Sequence, residues 1–247
     1  MKTLLSTLAA ATVAASASAQ DANPVAPVAQ NLFSTFTLTE TVGVYAKKGS
    51  ADSVAALNTL LGVKAVGIDW RVNAPVYVSD SSGYGSIELG AGWEAFKGLK
   101  FLNADTTITV DGGLWLPTGS ADYFATNVNP HIGVGAEMDW GAWSFKQTFD
   151  WRFITGGSMY DPLIDRFSSD LATLVSTLQY DLNESLKVGV DVGQYYFSNN
   201  GTVMITPNAK WAVAQSVDVQ AGIGFPLWQD LAVENNLVVN AGVSIKF

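Results

Sequence analysis

The sequence predicts an all-β chain that forms a transmembrane, antiparallel up-and-down β-barrel of about 12 strands. Three observations carry the prediction. Polar and apolar residues alternate over many strand-length segments. Charged residues make up only 14% of the chain beside 48% hydrophobic ones. Beyond the N-terminal leader, no stretch reaches the ~18 consecutive apolar residues of a membrane helix. In hydrocarbon, a closed barrel is the non-helical backbone that satisfies all of its hydrogen bonds.

The first 19 residues read as a secretory signal, with Lys2 as the charged start, an apolar stretch from Leu4 to about Ala15 and the small-residue site Ala17-Ser18-Ala19. Residues 20–31, rich in Pro and Ala, read as a flexible periplasmic lead-in, with a plug as the alternative, and residues 32–247 as the barrel. Without Lys2 the formal charge moves from −9 to −10, which argues against nucleic acid as a partner. With no cysteine and one His, disulfides, thiolate metal sites and His-rich metal clusters are excluded. No cofactor is implied.

The alternation is clearest in 143–153, where Trp143, Phe145, Gln147, Phe149, Trp151 and Phe153 oppose Ser144, Lys146, Thr148, Asp150 and Arg152. Similar faces follow in 131–140, 187–193, 217–225 and 237–247. A soluble barrel would also alternate, but it would need a generously charged coat, and 14% charge is little for that. The polar faces, rich in Gly and mixed charges, suit a wet, crowded lumen.

Twelve segments emerge: 34–46, 62–72, 75–80, 84–95, 100–116, 127–140, 143–156, 172–182, 186–198, 202–212, 216–225 and 235–247. An even number places both termini at one end. Tight connections are expected there at Asn73-Ala74, Phe96–Leu99, Gly141-Ala142, Asn183–Ser185 and Val213–Gln215. At the other end lie Lys47–Leu61, Ser81–Gly83, Pro117–Thr126, Gly157–Leu171, Asn199–Gly201 and Pro226–Glu234. An unbroken first strand would aim Glu40 at lipid, so a bulge near Thr39–Thr41 is expected. Within 158–177, Leu163, Phe167, Leu171, Leu174 and Val175 fall near helical spacing, which predicts a short amphipathic helix in the longest loop.

Aromatic residues form two belts on the apolar faces. Trp70, Trp93, Trp140, Trp143, Tyr180, Trp211 and Phe247 lie beside tight turns or the chain end, whereas Trp151, Phe153, Tyr196 and Phe225 lie toward the long loops. Ten residues from Trp143 to Phe153, at ~3.3 Å each and ~45° tilt, span about 23 Å, close to the ~25 Å between the girdles of such barrels.

The leader, the girdles and the closing Asn240-Ala241-Gly242-Val243-Ser244-Ile245-Lys246-Phe247 together resemble bacterial outer-membrane porins and channels. The stretch from about Thr202 onward is also similar to transporter barrels linked to aromatic-compound degradation. The resemblance implies residence in the bacterial outer membrane, contact with its lipid, passage of small solutes, and recognition of the terminal Phe247 by the barrel-assembly machinery.

Alternation assigns to the lumen ten acids (Asp69, Glu88, Glu94, Asp111, Glu137, Asp139, Asp150, Asp181, Asp191, Asp218) and six bases (Arg71, Lys146, Arg152, Lys187, Lys210, Lys246). The short turns place Glu137 opposite Lys146, Asp181 opposite Lys187, and Lys210 opposite Asp218, as structural pairs. Glu88, Glu94, Asp111 and Asp191 stand as unpaired acids and better functional candidates. The surplus of acids predicts a weak preference for cations, and the absence of a basic ladder argues against acidic oligosaccharides. An enzyme is not expected, since His131, the one His, has Gly133 two residues on and no matching Ser motif. A closed structural or adhesive barrel is the alternative.

Overall fold

The computed structural model describes residues 33–48, 53–78, 82–120, 123, 125–232 and 234–247. The leader and the lead-in fall outside them. Among the described residues there are fifteen strands: β1 (Phe33–Lys47), β2 (Ser53–Ala65), β3 (Ile68–Val78), β4 (Ser82–Tyr84), β5 (Glu88–Phe101), β6 (Ala104–Trp115), β7 (Asn129–Trp140), β8 (Trp143–Arg152), β9 (Met159–Asp161), β10 (Asp165–Phe167), β11 (Leu171–Asp181), β12 (Leu186–Phe197), β13 (Asn200–Ala214), β14 (Val217–Asp230) and β15 (Asn235–Lys246). Short β4 extends the rim beside β3, and β9 pairs with β10 alone. The other twelve follow one another around a closed antiparallel wall, in which β1 pairs with both β2 and β15.

Closure is carried to the last residue, where Phe247 N–H donates to Phe36 O at 2.9 Å. Both described chain ends lie at one rim, the terminal end. The two-residue turns Val66-Gly67, Leu102-Asn103 and Gly141-Ala142 lie there too, as do 182–185 and 215–216. The twelve-strand count and the turn at Gly141-Ala142 agree with the sequence reading.

Three expected turns do not, of which Val213–Gln215 is only displaced, to 215–216. Asn73-Ala74 lies within β3 and Phe96–Leu99 within β5. The true turns have successive residues with positive φ, 53° and 76° at Val66-Gly67 and 50° and 61° at Leu102-Asn103. That is the hairpin geometry whose twist matches the flanking strands. Branched Val66 and Leu102 are poor turn residues, so the apolar pattern runs through them unbroken. The expected segment 62–72 straddles the end of β2, the turn and the start of β3, the expected 75–80 overlaps the end of β3, and much of the expected loop Lys47–Leu61 is strand.

The predicted helix in 158–177 is also absent. Its first part is the β9–β10 hairpin and its second is β11. The apolar spacing of Leu163, Phe167 and Leu171 reflects a different burial: all three lie in one cluster with Met159, Ile164, Ala125, Trp115, Met204 and Val238. Met204, Val238 and Trp115 come from the inner wall, so the hairpin is folded into the mouth. Tyr160 adds edge-on ring contacts with Tyr77 at 5.1 Å and Tyr123 at 5.0 Å. Burial pushes its phenol pKa up, with the nearby Asp165 charge adding to the effect. Lys47 Nζ donates to Pro162 O at 2.8 Å, and Asn235 Nδ2 donates to Leu163 O at 2.6 Å. The dry core of this molecule is therefore a cap over the loop end, above a polar interior.

The outer surface carries the apolar belt. Trp70, Trp93, Trp140, Trp143, Trp151, Phe153 and Trp211 are 38–56% exposed. No bulge interrupts β1 near Glu40, since the register runs unbroken from Thr37–Lys246 to Ala46–Leu237. Glu40 therefore faces outward, and Thr59 Oγ1 on β2 donates to its Oε2 at 3.0 Å. Full pairing on both sides of β1 outweighs the exposure of one hydrogen-bonded carboxyl.

A sheet without a free edge unfolds only by breaking a whole strand-to-strand ladder. The folded chain is expected to run as a faster, heat-modifiable band on a denaturing gel until boiled. Identical migration before and after boiling would contradict closure.

Candidate functional site: the barrel lumen

The inner faces of β3, β5, β6, β7 and β8 converge on one charged cluster below the cap. Arg71 of β3 sits between two acids: its Nε is 3.2 Å from Glu88 Oε1, and its Nη2 pairs with Asp111 Oδ2. His131 of β7 lies between Glu88, 3.1 Å from Nε2, and Asp150, 2.8 Å from Nδ1. Only the Asp150 contact is aligned as a hydrogen bond; Nε2 finds no aligned acceptor.

Glycines make this crowding possible. A Cβ on Gly90 would stand 2.6 Å from Arg71 Nε, and one on Gly113 would stand 2.5 Å from His131 Nε2. The Gly-rich polar faces of β5 and β6 thus clear space for the charged side chains of their neighbours.

Arg152 completes the cluster at its upper edge. Its guanidinium lies 4.5 Å from the centroid of the Trp115 ring, and Nη1 is 3.9 Å from Met159 Sδ of the cap. Opposite this wall stand Thr39, Thr41 and Asn58, and together they line a cavity of about 560 Å3. A second cavity of about 390 Å3 is nearly neutral, lined by Thr41, Thr177, Gln179, Asn208, Gln220 and Asn240, with Asp191 and Lys210 as its charges.

The structure rearranges the predicted pairing. Glu88 and Asp111 are not unpaired, since Arg71 reaches both. Glu94 is not unpaired either, with Lys64 Nζ 3.2 Å and Lys97 Nζ 3.4 Å away. Asp191 accepts from Asn208 Nδ2 at 2.9 Å, and no cation pairs with it among the described residues. Glu137 does stand opposite Lys146, and Asp181 opposite Lys187 at 3.0 Å. Lys210 stands opposite Gln220 rather than Asp218, because the turn falls at 215–216 instead of 213–215, with a register shift between Ala212 and Ala214, yet it reaches Asp218 diagonally at 3.1 Å. Lys246 shares that acid at 3.4 Å. Lys47 and Lys64 are inward cations missed in the sequence. The unseen turn at Val66-Gly67 reverses the parity that would have exposed Lys64, and Lys47 had been placed in a loop.

No protein-family model and no curated protein matches this chain. Solved structures do share its fold. An outer membrane channel from Pseudomonas putida F1 superposes with a TM-score of 0.66 at 12% identity, covering 92% of this chain and 97% of that one. The NanC porin gives 0.58 at 10% identity, with 85% and 100% coverage. The KdgM porin in complex with disordered oligogalacturonate gives 0.56 at 12% identity, with 85% and 99%. At such identities the likeness concerns the barrel itself.

Removing the cation shared by Glu88 and Asp111 strands Asp111 and leaves Glu88 with His131 alone. Arg71→Gln is expected to destabilise the folded chain in detergent by about 1–3 kcal/mol. Lys64→Gln, at a more exposed pair, should cost less than about 1 kcal/mol. Denaturant titration of both variants measures this, and equal losses would count against the burial argument.

Proposed function

We propose that this chain is a bacterial outer-membrane channel for passive passage of small solutes, weakly cation-preferring, whose outer mouth is closed at rest by the β9–β10 cap. The observation that carries the reading is the combination of an apolar, aromatic-flanked outer belt with a polar interior holding two sizeable cavities. A soluble barrel reverses those faces. The shared fold with outer-membrane channels supports the reading. On it, the leader exports the chain, the seven girdle aromatics sit at the two lipid interfaces, and Phe247 serves the barrel-assembly machinery.

Charge supports a weak selectivity. Adding Lys47, Lys64 and Lys100 to the inward bases and Asp105, opposite Asp139, to the acids gives nine bases against eleven acids. The remaining surplus is small, and carboxylates act over a Debye length of ~8 Å at physiological salt, comparable to the radius of a narrow pore. Cation preference should therefore be modest and fade as salt rises.

The cap favours a second reading, a closed structural barrel, because its apolar residues pack against the inner wall on several sides. Planar-bilayer conductance separates the two. The intact chain is expected to show infrequent open steps, and a variant in which residues 157–169 are replaced by a short Gly-Ser link is expected to stay open, with reversal potentials favouring cations. Silence from both variants, with the barrel still heat-modifiable, would establish the closed reading.

Membrane embedding has its own check. Val190 faces outward, where Arg costs ~2–4 kcal/mol at the bilayer midplane, whereas Gln220 lines a cavity. Val190→Arg should cut the folded yield in lipid strongly and Gln220→Arg weakly; equal yields would contradict the assignment of faces.

A further inference from the structure

The ceiling of the larger cavity has donors in excess of acceptors. Among the described residues, three buried side-chain N–H groups at neighbouring positions of β6, β7 and β8 lack a hydrogen-bond partner, Trp115 Nε1, Asn129 Nδ2 and Arg152 Nε, while His131 Nε2 beside them has only the misaligned Glu88 carboxylate at 3.1 Å. Trp115 stands opposite Asn129 in the ladder, and His131 opposite Arg152. Trp115 and His131 are more than nine-tenths buried, and with Arg152 they line the cavity. Indole and guanidinium nitrogens are donors and never acceptors, so these groups cannot satisfy one another.

Arg152 is also a cation without an ion pair of its own, since the nearby Glu88 is shared between Arg71 and His131. No carboxylate pairs with it among the described residues, and its neighbours are the Trp115 ring and the thioether of Met159, a weak acceptor. A buried guanidinium without an anionic oxygen is costly, and a planar carboxylate matches its fork.

We propose that Arg152 and Trp115 form a binding site for the carboxylate of a small monoanionic solute, and that Met159 of the cap occupies this site in the closed mouth. A single charge is specified by the surroundings. Glu88 and Asp150, held against His131, lie beside the site and would repel a dianion such as phosphate. The local cation thus selects one anionic group in a lumen whose overall surplus is acidic. Lifting the hairpin removes Met159, uncovers Trp115 Nε1 and Arg152 Nε, and leaves the Thr39, Thr41 and Asn58 wall to meet the rest of the solute. The site rests on the channel reading in one respect: a solute must be able to enter the lumen.

The test is titration of the refolded full chain in detergent micelles with sodium acetate and, separately, with sodium chloride and sodium phosphate, at constant ionic strength. Indole N–H signals are followed by nuclear magnetic resonance with 15N-labelled tryptophan. One indole signal, identified by its loss in Trp115→Phe, is expected to shift saturably with acetate and little with chloride or phosphate. Arg152→Gln should weaken that response about tenfold or more, while Met159→Ala should strengthen it. Met159→Ala keeps both the indole probe and Arg152 and remains informative if Arg152→Gln fails to refold. A response to all three anions alike means an adventitious ion only. That result, no response at Trp115, or an unchanged response in Arg152→Gln overturns the site. Conductance is read separately: binding without conductance leaves the site and removes the channel, and conductance without binding does the reverse.

Discussion

The pairing of β1 with β15 is the constraint on which the rest of this molecule depends. It converts a twelve-stranded sheet into a tube, so none of the twelve wall strands is an edge strand and every residue of the wall has a fixed inner or outer side. Once β1 is bonded on both flanks, its parity cannot be adjusted locally, because a slip of one residue exchanges the faces of the whole strand. Glu40 shows the strength of this condition. A bulge would have turned its carboxyl inward, but would have broken two ladders; the chain keeps both and gives Glu40 the Thr59 hydroxyl.

The alternation made the fold legible because it repeats in nearly every strand, and errors in single elements leave the count intact. Turns were legible where Gly or Asn marked them, as at Gly141 and Asn183, and illegible where Val66 and Leu102 occupy positive φ. Those two misplaced turns account for most of the shifted boundaries, and for the concealed Lys64. The loop hairpin was misread as a helix because apolar residues three and four apart can mean a helical face or, as here, a compact turn whose side chains all plunge into one cavity.

The lumen was readable residue by residue but not as a cluster. Pairwise register shows which residues stand opposite on adjacent strands, and it gave Glu137 with Lys146 and Asp181 with Lys187. Arg71, however, spans from β3 to Glu88 on β5 and Asp111 on β6, across ground cleared by Gly90. Such a reach depends on side-chain length and on the missing Cβ atoms of intervening positions, neither of which a two-residue period records. The donor excess at Trp115 and Arg152 is a property of the folded cap as much as of the wall, so it has no signature in the strand pattern.

The interior is also lopsided. At the level of Arg71 and His131, one wall carries fixed ions of both signs, while the facing wall offers hydroxyls and amides that carry no net charge and reorient easily. Fixed ions in a narrow, partly desolvated space set up a field that runs across the tube rather than along it. A dipolar molecule inside would be turned before it was moved, with one end held toward the charged wall and its flank left against the softer one. Its cross-section in that orientation, rather than its mean diameter, would then be the dimension that decides whether it fits.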